Sequence, residues 1–328
     1  MRRIVLILAA LAALPAFAQT GVQATPVPTG VQEFALPEGI TAHDVWADPA
    51  PDGPVWFSGQ RSGHGGRLDP KTGKVELVPL GRGSSPHGVI LDKDGSAWFT
   101  DGGQNAIVRV DPKTLAVKLW KLPENTGYTN LNTAIFDNAG IHWFTGQNGI
   151  YGRLDPKSGD LKVYDSPRGR GPYGIHATPD GTVYYVSLAQ SFLGRIDATT
   201  HKTTVIEPPT PSQGARRVWS DSKGLLWVSE WNSGNLSRYD PKTGSWKTWK
   251  APGTNPRVYA VYVDETDKPW ISEWGKNLMM RFDPATEKWD SYSSSTKGTT
   301  NVRQIHGRKG EVWTPESASG KLVVYRYK

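Results

Sequence analysis

Short runs of alternating or wholly apolar residues recur along the chain, and no stretch sustains a helical period. The clearest run is led by an aromatic residue: Trp56-Phe57-Ser58, Trp98-Phe99-Thr100, Trp143-Phe144-Thr145, Tyr184-Tyr185-Val186, Trp227-Val228-Ser229, Trp270-Ile271-Ser272 and Trp313-Thr314-Pro315. Successive copies stand 42, 45, 41, 43, 43 and 43 residues apart, a period typical of four-stranded propeller blades. Ten or eleven residues after each of the first six leading aromatics comes Arg-x-Asp, as in Arg67/Asp69, Arg109/Asp111 and Arg238/Asp240. Five of these six continue into Pro, giving turns such as Asp69-Pro70-Lys71-Thr72-Gly73. Pro inside the turn and Gly at its end suit a tight strand connection.

Alternating segments follow those turns, at Lys74–Leu80, Val117–Leu122, Leu161–Asp165 and Trp246–Lys250. Each repeat thus reads as four strands, and seven repeats predict an all-β, seven-bladed β-propeller. The seventh repeat ends at Lys328 after its third strand, while an extra strand, Val31–Leu36, precedes the first repeat. That N-terminal strand is expected to complete the last blade, leaving no open edge. Residues 31–328 are therefore expected to form a single domain.

The first residues belong to another pattern. Arg2 and Arg3 precede an apolar run from Ile4 to Leu14, then Pro15 and Ala16-Phe17-Ala18, the layout of a secretory signal peptide cleaved near Ala18. The run is too short to span a bilayer, and nothing later resembles a span, so no membrane insertion is expected. Residues 1–18 read as signal peptide, 19–30 as a flexible lead-in, and the protein as periplasmic or secreted. Loss of Arg2 and Arg3 lowers the formal charge from +7 to +5. That mild excess, spread over turn lysines such as Lys71, Lys113, Lys157 and Lys242, reads as a solvated rim and not a nucleic-acid surface. No Cys occurs among 328 residues, which excludes disulfides, thiolate nucleophiles and Cys-based metal sites.

Propeller geometry nominates the mouth. Neighbouring strands are antiparallel, so the start of the innermost strand and the end of the aromatic strand share one face. The residue 11 before each leading aromatic reads His43 (after a short insertion), His87, Asn132, Tyr173, Arg216, Tyr259 and Val302. The residue three after it reads Gly59, Asp101, Gly146, Ser187, Glu230, Glu273 and Glu316. These positions vary between repeats while the framework does not, as expected of a site grafted onto a regular scaffold. His43, His87 and Asp101, with Ser85 nearby, can supply acid–base chemistry, and Asp101 a metal ligand. Arg216, Arg217, Arg257 and Arg303, with Glu230, Glu273, Glu316, Trp231 and Trp274, suit either an ion-pair ring or an anionic, flat ligand.

The blade signature resembles the virginiamycin B lyase (streptogramin lyase) family. The residues that carry the likeness are Pro86-His87-Gly88-Val89 with Asp94–Asp101, Trp270-Ile271-Ser272-Glu273-Trp274-Gly275, and Gly-Arg-Leu-Asp at Gly66–Asp69 and Gly152–Asp155. The resemblance implies a seven-bladed propeller and a magnesium-dependent elimination that opens a cyclic depsipeptide at its ester. Carried over by position, His43 matches the family's first His, His87 its second, and Asp101 its final acid, where the family has Glu. Ser85 stands where the family carries another Glu. The implied roles are His87 as general base, His43 as helper to the leaving group, and Asp101, with or without Mg²⁺, as stabiliser of developing charge.

Three functions remain open on sequence alone. One is such a lyase, acting on a cyclic ester or related small molecule. Another is a non-catalytic propeller whose Arg/Trp/Glu sector holds a small ligand or a protein partner. The third is a metal-dependent lactonase-like hydrolase with Asp101, Glu230, Glu273 and Glu316 around one ion. A monomer is expected, with a small-molecule ligand as the leading partner and a protein partner as the alternative.

Overall fold

In a computed structural model, residues 30–294 and 296–327 are described; the segments expected to be a signal peptide and a lead-in, before Gly30, lie outside them. Seven four-stranded antiparallel sheets form one ring. Six of them are consecutive in sequence, and the seventh joins Val31–Ala35 to Lys321–Arg326, Glu311–Glu316 and His306–Arg308. The expected N-terminal closure is therefore present, with Val31 opposite Tyr325 and Phe34 opposite Leu322. Phe34 also stacks on Trp313 at 5.5 Å, so the seam is packed as well as hydrogen-bonded.

Burial falls from the axis outward. The inner strands Pro86–Leu91 and Val258–Val263 are buried throughout, whereas outer strands such as Val117–Lys121 hold only half-buried and exposed residues. The leading tryptophans fill the gaps between blades, with Trp56, Trp98, Trp227, Trp270 and Trp313 at most 2% exposed. An indole buried at that depth needs a partner for its N–H. An Asp six residues earlier supplies it: Asp92 for Trp98 at 2.7 Å, Asp137 for Trp143 at 2.8 Å, Asp221 for Trp227 at 3.1 Å and Asp264 for Trp270 at 2.9 Å.

The Arg-x-Asp pairs are framework. Arg67, Arg109, Arg238 and Arg281 lie 5.5–6.0 Å over the leading Trp of their own blade. The Asp accepts the backbone N–H two residues on, as Asp69 does from Lys71 and Asp155 from Lys157, both at 2.9 Å. Such turns are stable without burial because the side chain replaces a backbone acceptor.

Candidate functional site

In five blades the inner strand slips register at the position nominated from sequence. The irregularities fall at His87, Asn132-Thr133, Tyr173-Gly174, Arg216 and Tyr259-Ala260. A bulge re-aims a side chain that regular pleating would send between blades; here it brings the five together around the axis. Glycine after the bulged residue admits the next blade: a Cβ on Gly88 would lie 2.6 Å from the Asn132 carbonyl oxygen, and one on Gly174 2.6 Å from Arg217 Cα.

A hydroxyl two residues after the leading aromatic locks this arrangement. Thr100 accepts the Gly88 N–H at 2.9 Å and donates to the Asn132 carbonyl of the next blade. Ser58 accepts from Asp44 N–H and donates to the His87 carbonyl, and Ser229 links Arg217 N–H to the Tyr259 carbonyl at 2.7 Å. Thr145 likewise holds the Tyr173 carbonyl. The sequence reading took this Ser/Thr as part of a repeated strand; its hydroxyl also fixes the mouth.

On one side of the axis sit His43, Asp44, His87 and Asn132, all buried. The imidazoles of His43 and His87 lie 4.0 Å apart, and His43 Nδ1 is 2.8 Å from Asp44. Arg217, 1% exposed, pairs with Asp44 at 3.2 Å and donates to Thr133. Thr133 in turn donates to Asn132 Oδ1 at 2.7 Å, which points the Asn132 amide N–H groups at His87 Nε2, 3.1 Å away. His87 Nε2 is thereby an acceptor already in use, and its proton sits on Nδ1, facing Asp44 at 4.0 Å. His43 is the reverse: Nδ1 donates to Asp44, which leaves the Nε2 lone pair free.

Electrostatics agree with this assignment. Burial holds both imidazoles below their ordinary value, His87 further because His43 lies against it. Burial alone would raise Asp44, but Arg217 and His43 outweigh it and hold the carboxyl well below the usual range. Asp44, absent from the positions singled out in the sequence, thus organises this half of the mouth. Its signal was its place beside His43 at the start of an inner strand.

On the other side, guanidiniums rest on rings. Arg216 lies 3.8 Å over Tyr259, 4.7 Å over Trp231 and 4.8 Å over Tyr173, and donates to Tyr173 Oη at 3.0 Å. Tyr173 and Tyr259 share a hydrogen bond at 3.0 Å, and Tyr259 stacks on Trp274 at 4.9 Å. Arg303 lies 5.5 Å over Trp274 and reaches the Tyr259 oxygen at 3.5 Å; Arg257 donates to the Trp231 carbonyl. Burial would raise the Tyr259 phenol, but Arg216, Arg217 and Arg303 bring it down to about 8.

The acids three residues after the leading aromatics do not join the mouth. Asp101 accepts from the Ser84 hydroxyl and the Ser85, Gly103 and Gln104 N–H groups. Glu230 takes Ser233, Asn235 and Ser237; Glu273 takes the N–H groups of Arg257, Gly275 and Lys276; Glu316 takes Thr296 and Ser319. Each carboxylate closes its own blade's loops, so the four make neither a common ion site nor an ion-pair ring with the arginines. Ser85 donates to the Gln60 carbonyl at 3.1 Å, also away from the histidines.

Among the described residues the one group that brings metal-ligand atoms together is His43, Asp44 and His87, within 4.8 Å of one another. It does not fit Mg²⁺, a hard ion that demands oxygen ligands. Two of its three donors are nitrogens, and its carboxylate already carries Arg217 and His43.

Comparison with known proteins is consistent with this fold. The model of the virginiamycin B lyase family matches residues 23–244. No curated protein matches the chain in sequence. Virginiamycin B lyase from Staphylococcus aureus superposes with a TM-score of 0.83 at 21% identity, covering 91% of this chain and 99% of that one. A catalytically inactive variant of the same enzyme with quinupristin gives 0.82 at 21% identity, with the same coverage. The extracellular domain of a putative one-component system from B. thetaiotaomicron gives 0.71 at 16% identity, covering 92% of this chain and 40% of that one. The family match spans two thirds of the sequence and the ring spans the described residues: this chain belongs to the virginiamycin B lyase family.

Proposed function

We propose that this is an exported family propeller that captures a small, flat organic anion at the mouth of its channel. The observation that carries this is the charge balance of the mouth. The guanidiniums of Arg216, Arg257 and Arg303 are held by aromatic faces, a hydroxyl and a carbonyl, and among the described residues none of the three guanidiniums has a carboxylate partner; Asp44 is spent on Arg217. Guanidiniums positioned on rings keep their charge available for a carboxylate, and Trp231 and Trp274 offer flat surface beside it.

Titration with benzoate and indole-3-acetate, followed by tryptophan fluorescence, tests this. Binding of the acids but not their amides is expected, with at least a tenfold loss in Arg216→Ala. Equal binding of acid and amide would sink it.

A second reading, favoured by the His43–Asp44 pair, is elimination of the family kind without a metal. His43 Nε2 takes the proton from the carbon next to the ligand's carbonyl, the C–O bond at the following carbon breaks to leave a C=C double bond, and Arg303 holds the carboxylate that departs. This gives His43 the base role that the family resemblance implies for His87. Mass spectrometry of a streptogramin B antibiotic incubated with the protein and EDTA is the check; absence of ring-opened product removes this reading.

A further inference from the structure

Beside the blade that closes the ring, blades seven and one meet at a seam where the mouth opens into a side pocket of about 300 Å³. One wall comes from residues 41–43, 60 and 61, the other from residues 301, 303, 317 and 318. Arg61 and Arg303 face this space with the polar side chains of Gln60, Asn301 and Ser317, and no carboxylate lines it. Arg61 is exposed and carries no ion pair among the described residues. Arg303 spends Nε on Ser317 and directs Nη1 at Tyr259, which leaves Nη2 without an acceptor among the described residues. His43 completes the lining, with Nδ1 taken by Asp44. The neighbouring Glu316 is turned into its own loop by Thr296 and Ser319.

Nothing in this pocket offsets the two guanidiniums, and both present planar donor sets suited to oxyanions. We infer that the seam pocket is an oxyanion subsite, in which Arg61 and Arg303 together hold a doubly charged group of the ligand beside His43. The group is a phosphoryl or a pair of carboxylates; either matches the two positive charges, whereas a single carboxylate leaves one unmatched. The inference deepens the anion-binding reading of the same mouth and adds to it a second contact point, apart from the aromatic bay around Arg216.

Isothermal titration at fixed ionic strength and pH 8, with inorganic phosphate, malonate and acetate as probes, tests it; fixed ionic strength keeps screening constant. At least one dianion is expected to bind tenfold or more tightly than acetate. Phosphate alone identifies a phosphoryl ligand, malonate alone a dicarboxylate. Arg61→Ala should lose that preference with an unchanged melting temperature, and Arg61→Lys should recover part of it. Arg216→Ala should keep it, while losing benzoate. Dianions that bind no better than acetate, or an Arg61→Ala protein that binds like wild type, overturn the subsite. If benzoate fails to bind wild type while the dianions bind as expected, the aromatic bay falls and the seam subsite stands.

Discussion

His142 is fully buried against Trp98, Phe136 and Phe144, and neither ring nitrogen has a partner. Leaving such a donor unmade costs about 1–3 kcal/mol. Burial also brings His142, His176 and His306 down to about 3, well under the ordinary histidine value. Below about pH 6.5 the unfolded chain therefore binds more protons than the folded one, and stability falls as pH falls. Each histidine contributes a slope of about 1.4 kcal/mol per pH unit until its folded value is reached. His142→Phe should raise stability at pH 7 by about 1–3 kcal/mol and flatten the acid limb by one histidine's share. Chemical denaturation at pH 7 and pH 5 measures both; a less stable variant at either pH would count against the orphaned-histidine account. His43 and His87 are also held below the ordinary value and add to the same acid limb, but each has a ring nitrogen joined to a neighbour, Asp44 for His43 and Asn132 for His87.

At the level of the strand, the bulge and the bridging hydroxyl place the site. Thr100 links a backbone N–H of blade two to a carbonyl of blade three, between His87 and Asn132. Thr100→Val keeps the volume and deletes the link, leaving both backbone groups buried and unpaired. A loss of about 1–3 kcal/mol is expected, together with weaker benzoate binding from a less fixed mouth. Blade four carries Val186 at the equivalent position, so the substitution is compatible with folding. Unchanged stability and affinity would mean that side-chain packing alone aligns the inner strands. The repeat and its turns were legible beforehand because they obey periods of two and of about 43. The bulges were not, because a one-residue slip leaves no mark on an alternating pattern already apolar on both faces.

Across the whole ring, aromatic side chains reach over the axis, with Trp46 of blade one 6.0 Å from Trp219 of blade five. Trp46 stacks on His306 at 3.8 Å and Trp219 on His176 at 4.2 Å, below the Arg217–Asp44 pair. The opposite mouth is edged by Asp221, Asp264, Glu265 and Asp267, so the two faces differ in charge as well as shape. The sequence reading brought His43, His87, Asn132, Tyr173, Arg216 and Tyr259 to one face, and the structure places all six around the axis. It also grouped Asp101 with the histidines, where the structure spends that carboxylate on its own loop. With no oxygen-rich ion site joining blades among the described residues, 5 mM Mg²⁺ or EDTA should leave the melting temperature unchanged. An ion at 100 times its dissociation constant would add about 2.7 kcal/mol, so a clear Mg²⁺-specific shift would contradict this.

The sequence by itself determined the number of blades, the strands within each, the closure by Val31–Ala35 and the end of the ring that carries variable polar residues. These follow from local periodicity, turn chemistry and the antiparallel order of strands, all of which act within one repeat. Tertiary structure alone decided which side chains meet. Arg217 of blade five pairs with Asp44 of blade one, Arg303 approaches Tyr259, and Glu230, Glu273 and Glu316 turn away from the arginines that the sequence sets beside them. Those outcomes depend on seven blades closing at a fixed radius, where residues 173 positions apart in the chain form one buried ion pair.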